Sequence, residues 1–175
     1  MTKYVAFLRA INVGGHTIIK MTDLKQMFES LSLENVQTYI QSGNVIFESA
    51  EDDTASLEAQ IESQVEKATG YKTKLFVRTL RDVQSIAHNS PFTAKADETV
   101  HIGFLKEKPD KKHQEVLLSF RSDADDFAVK GLEVYNLRHD REKSIFSNNF
   151  IEKVLKIPAT TRNMTVIKKI GEKYR

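Results

Sequence analysis

The chain has 175 residues, 26 of them basic and 24 acidic, for a net charge of +2, and 40% of its residues are hydrophobic. That length buries one large core or two small ones, and the near-neutral balance argues against wholesale binding to polyanions. With no cysteine there are no disulfides, thiolate zinc sites or cysteine nucleophiles, and no apolar run approaches the roughly 20 residues that a membrane span requires.

The start of the chain enters a strand pattern at once. From Lys3 to Ala10 both alternating faces are apolar, Val5 and Phe7 on one and Ala6 and Leu8 on the other, as in a central strand covered on two sides. Thr22-Asp23 reads as the cap of a helix carrying Leu24, Met27, Phe28 and Leu31 at helical spacing. Val36–Gln41 and Asn44–Glu48 read as a hairpin turning at Ser42-Gly43. A helix over Thr54–Thr69, Gly70 and a strand over Thr73–Arg78 complete a β-α-β-β-α-β order. That order is the split βαβ, or ferredoxin-like, arrangement, so residues 1–78 are expected to form one α+β domain.

Residues 79–175 are expected to form a second, smaller α+β unit packed against the first. Leu80–His88 suggests a helix, Val100–Leu105 a strand, Lys111–Phe120 a helix, and Phe127–Val129 with Glu133–Leu137 a hairpin about Lys130-Gly131. Two basic helices are expected to follow, one over Ser147–Lys156 and one beginning after Thr160-Thr161. No internal repeat is visible. The charge is uneven: residues 1–78 hold 8 basic and 10 acidic side chains, whereas residues 138–175 hold 10 basic and 4 acidic, a local excess of +6.

Three segments could carry chemistry. In the first, Arg9 ends a strand apolar on both faces, where a guanidinium needs a carboxylate or a ligand, and Asn12, Gly14 and Gly15 follow, with Lys20 five residues on. Paired glycines there either turn the chain or present backbone amides to an anion, but neither a P-loop nor a dinucleotide fingerprint is present. In the second, Gln41-Ser42-Gly43-Asn44 has the composition of a turn. On a reading in which the first and third strands run parallel, these two segments lie at opposite sheet ends, about 23 Å apart at about 3.3 Å per residue. In the third, Thr160-Thr161-Arg162-Asn163 precedes a helix, with the threonines as caps and Arg162 at its positive end, a placement that calls for a compensating anion, either a protein carboxylate or a bound phosphate or carboxylate. The five histidines show no metal spacing, so no metal is expected, and no cofactor motif is present.

The strings YVAFLRAINVGG, Lys20-Met21, TYIQSGNVIF and TTRN, the last followed by Thr165-Val166, resemble the family catalogued as domain of unknown function 1697. The resemblance implies a bacterial cytosolic protein of α+β fold with a ferredoxin-like part and no established activity. It departs at Met164, where members carry tryptophan; methionine fills an apolar gap but offers no ring for stacking.

The first reading of function is therefore a binder of a small phosphate-bearing ligand, using Arg162, Asn163, Thr160 and Thr161, with Arg9, Asn12, Gly14, Gly15 and Lys20 as further candidates. Nucleic-acid binding through the C-terminal lysines is a weaker second, because the expected sheet lacks the RNP aromatics. An enzyme acting on a small anion is the third, though spacing names no acid–base pair. A cytoplasmic location is expected from the absence of signal-peptide architecture, and no membrane partner.

Overall fold

A computed structural model of the chain describes residues 1–9, 19–40 and 43–175. The fold is α+β: among the described residues, six helices and two antiparallel four-stranded sheets. The chain divides into two compact units, Met1–Gln84 with Ile170–Arg175, and Ser85–Lys169.

In the first unit the order is β1 (Thr2–Leu8), α1 (Met21–Glu29), β2 (Glu34–Tyr39), β3 (Asn44–Ser49), α2 (Thr54–Thr69) and β4 (Leu75–Thr79), with strands arranged β2-β3-β1-β4. As its pattern requires, β1 is central and buried from Tyr4 to Leu8. Tyr4, Ala6 and Leu8 share a core with Val45 and Phe47 of β3, Leu24 and Phe28 of α1, and Leu57, Ile61 and Val65 of α2. The second face, with Val5, Phe7, Ile46 and Phe76, is buried too. The ends of α2 follow from sequence: the Asp53 carboxylate accepts from the Ala55 amide, and Gly70 takes the left-handed conformation that closes the helix. At α1 the expected cap shifts, since the helix begins at Met21 with Lys20 in the cap position and no side-chain cap bond.

The expected separation of the two glycine segments is overturned. β1 runs antiparallel to β3, with Phe7 opposite Asn44, and the Leu8 amide donates to the Gly43 carbonyl at 2.8 Å. The segment leaving β1 and the β2–β3 turn therefore start from the same end of the sheet. β1 instead runs parallel to β2, both antiparallel to the β3 strand between them.

The second unit runs β5 (Thr99–Leu105), α4 (Lys111–Leu118), β6 (Asp125–Lys130), β7 (Glu133–Arg138), α5 (Asn148–Leu155) and β8 (Ala159–Asn163), in the order β6-β7-β5-β8. This is the same β-α-β-β-α-β path with the same strand arrangement as the first unit. Each path is followed by a helix, α3 (Leu80–His88) after β4 and α6 (Met164–Lys173) after β8. The repeat was hidden because residues 160–163 resemble a helix cap, whereas they form β8, paired antiparallel with β5 from Leu105↔Ala159 to His101↔Asn163. The cap of α6 is Asn163, whose Oδ1 accepts from the Thr165 amide at 2.9 Å.

Helix α5 packs on β5 at Gly103, where an added Cβ would stand 2.6 Å from Ile151 Cδ1. Gly103→Ala is expected to cost about 1–3 kcal/mol through overpacking. Ile151→Val removes the obstructing methyl, so in urea denaturation the double variant should lose clearly less stability than the two single losses added together; simple additivity would show that the contact is not the cause.

Candidate functional site

The sequence-predicted residues fall in separate places. Arg9, in the first unit, is half-buried, its amide donating to the Lys74 carbonyl at 2.8 Å and its carbonyl accepting from Thr73 Oγ1 at 2.7 Å. Lys20 is exposed at the start of α1. Asn12, Gly14 and Gly15 lie outside the described residues, as do Gln41 and Ser42. Of the turn, Gly43 has φ 78°, and Asn44 is fully buried with Nδ2 donating to the Tyr39 carbonyl at 3.1 Å. Ile40 sits at φ 49°, an uncommon conformation for a β-branched residue.

In the second unit, strand alternation splits the threonine–arginine motif. Thr160 and Arg162 share a face with their partners Phe104 and Ile102, and both are buried. Thr161 and Asn163 face the other way. Arg162 Nη1 donates to Thr160 Oγ1 at 3.0 Å and to the Thr161 carbonyl at 2.8 Å. Burial pushes its pKa down to about 10, which still leaves the guanidinium charged at neutral pH. Thr160 thus serves Arg162, not a helix end.

Asn163, on the opposite face, opens onto a pocket of about 330 Å³. Its walls come from the end of α3 (His88), the following loop (Ser90, Phe92, Glu98), the start of β5, and the first turns of α6 (Thr165, Lys168). Lys168 belongs there because α6 turns Met164, Ile167 and Ile170 inward and leaves Thr165 and Lys168 exposed. Glu98 is the charged group set deepest: its side chain is 9% exposed, Oε1 accepts from the Lys95 amide at 3.0 Å, and Oε2 is paired with His139 Nδ1. The Lys95 amide first, and then His139, hold its pKa below the usual carboxylate range. Sequence reasoning missed Glu98 and His139, which lie about forty residues apart and carry no motif between them.

The second unit also holds a polar network. The buried Asp125 carboxylate accepts from Asn136 Nδ2 at 2.8 Å, Ser144 Oγ at 2.7 Å and the Ile145 amide at 2.9 Å, which fixes the loop that follows β7. His101 stands opposite Asn136 across β5 and β7, and its Nδ1 is buried with no hydrogen-bond partner. Among the described residues no group of three or more metal-ligating side chains is assembled, and no helix is long and apolar enough to cross a membrane.

Burial, reinforced by Arg138 and Arg141 and opposed by Asp125, lowers the His101 pKa from 6.5 to about 4. The unfolded chain then takes up this proton near pH 6.5 and the folded chain only near pH 4. The histidine costs nothing above pH 6.5 and destabilises the fold progressively as pH falls from 6.5 to about 4. With the ring partly solvated, the loss should be on the order of 1 kcal/mol. His101→Asn should therefore show a shallower fall in Tm than the parent between pH 7 and 4; parallel curves would refute the assignment.

A family described as "Protein of unknown function (DUF1697)" matches residues 1–135. The matched stretch holds both glycine segments and stops short of β8. Among solved structures, the conserved bacterial protein SP0830 from Streptococcus pneumoniae is similar at 25% identity and a TM-score of 0.73, over 98% of this chain and 97% of that one. No curated protein matches.

Proposed function

The chain belongs to the DUF1697 family, whose description assigns no activity, and we propose from the geometry of its second unit that it binds a small ligand through a phosphate group. The observation that carries this reading is Lys168 in the wall of a polar pocket formed in part by the first turn of α6. A helix start concentrates partial positive charge, and an ammonium one turn along the same face adds a full charge to it. His88, the Thr165 hydroxyl and the Asn163 amide supply further polar groups around the same volume. Arg162 and Thr160 face away from Asn163 across β8, so in this reading they brace the strand and the lysine meets the anion.

Phosphate chemistry also fits the basic excess near the end of the chain, since α6 contributes Lys168, Lys169 and Lys173 from one helix. Isothermal titration with inorganic phosphate and ethyl phosphate tests the reading. Lys168→Ala should weaken both by about tenfold or more, the worth of one charge-assisted hydrogen bond, and should leave the unliganded Tm unchanged because Lys168 is exposed. Failure of both compounds to bind the parent protein at millimolar concentration would end the proposal.

A further inference from the structure

The pocket contains a carboxylate that an anion site by itself does not explain. We propose that Glu98 makes the pocket selective for phosphate ligands that also carry an ammonium group, so that the ligand class is a small aminophosphate and not a plain phosphate ester. This rests on the phosphate reading above and adds the second recognition element to it.

Glu98 lines the same pocket as Lys168 and His88, and its side chain is nine-tenths buried. A carboxylate offers about four acceptor positions. The Lys95 amide takes one on Oε1 and His139 Nδ1 takes one on Oε2. Two positions remain on a nearly buried anion, and buried acceptors are satisfied by water or by ligand donors. The hydrogen bonds from the Lys95 amide and the His139 ring favour its ionised form, so it presents negative charge at neutral pH.

The walls are thus of opposite sign: lysine and the helix start on α6, carboxylate at the loop end. A plain phosphate ester gains from the first and is repelled by the second. An ammonium placed a few bonds from the phosphate turns that repulsion into a charge-assisted hydrogen bond. Primary ammonium, with three donors on one centre, matches the two open acceptor positions better than a hydroxyl, which has one.

The bonds to Lys95 and His139 would also suit a purely structural role in fixing the loop before β5. The two roles differ in what they do to selectivity. Titration calorimetry on the full chain should compare O-phosphoethanolamine with ethyl phosphate, which share a phosphate and an ethyl carbon skeleton and differ in the amine. The parent protein should bind O-phosphoethanolamine about tenfold more tightly. Glu98→Gln should erase that preference while leaving ethyl phosphate binding intact or improved, and Lys168→Ala should weaken both ligands together. Equal affinities in the parent, or a Glu98→Gln variant that loses both ligands in proportion, would overturn the inference and leave the phosphate reading standing. No binding of either ligand to the parent would remove both. If Glu98→Gln fails to fold, N-acetylation of O-phosphoethanolamine removes the charge on the ligand instead and should abolish the tenfold preference; an acetylated ligand that binds as well as the amine counts against it.

Discussion

A strand that is hydrogen-bonded along both edges and buried on both faces has little room for a polar side chain, and β1 from Tyr4 to Leu8 and β5 from Ile102 to Leu105 are in that position. Each runs through the middle of its sheet, β1 between β3 and β4, β5 between β7 and β8. Everything else in each unit is arranged by that demand. The outer strands can be short and half-polar, as β2 is with its exposed Glu34 and Asn35. The helices need only one apolar stripe. The candidate site obeys the same rule, since His88, Glu98 and Lys168 stand on a helix end, a loop and a helix start, all peripheral to β5.

Much of this was legible because period and composition agree. The two-sided apolar run that starts at Lys3 and is seen in β1 as far as Leu8, the helical spacing of Leu57, Ile61 and Val65, and the Gly70 stop all led to the observed elements. Two features were not legible, for different reasons. Strand direction is not encoded in any local pattern, and taking β1 and β3 as parallel sent the two glycine segments to opposite ends, when the Leu8–Gly43 hydrogen bond joins them at one. β8 failed for a chemical reason. Thr160 and Thr161 are at once good strand formers and good helix caps, and a five-residue strand leaves too little alternation to choose between them.

The pocket illustrates a harder limit. Its chemistry comes from His88, Glu98 and Lys168, with His139 behind, and no two of these are close enough in sequence to form a motif. What assembles them is topology: β5 and β8 are neighbours, so the loop entering β5 and the helix leaving β8 emerge at the same edge. Without β8 in the sheet that proximity could not be deduced, and the same misassignment that hid the repeat hid the site.

Recognising the repeat also changes the standing of Arg162. In the first unit β4 reads Leu75-Phe76-Val77-Arg78-Thr79, and in the second β8 reads Ala159-Thr160-Thr161-Arg162-Asn163. The arginine is fourth in each strand and is paired with the fourth residue of the central strand, Val5↔Arg78 and Ile102↔Arg162. Both guanidinium groups are buried, and both use Nη1 to donate to the carbonyl of the preceding residue, Val77 at 3.0 Å and Thr161 at 2.8 Å. The next residue caps the following helix in each case: Thr79 Oγ1 accepts from the Asp82 amide as Asn163 Oδ1 does from Thr165. A buried arginine that recurs at equivalent positions belongs to the way this β-α-β-β-α-β unit is built. A ligand site, by contrast, is where the two halves differ, and Lys168, one turn into α6, has Gln84 at the matching position of α3. The lysine therefore carries the anion hypothesis better than the arginine.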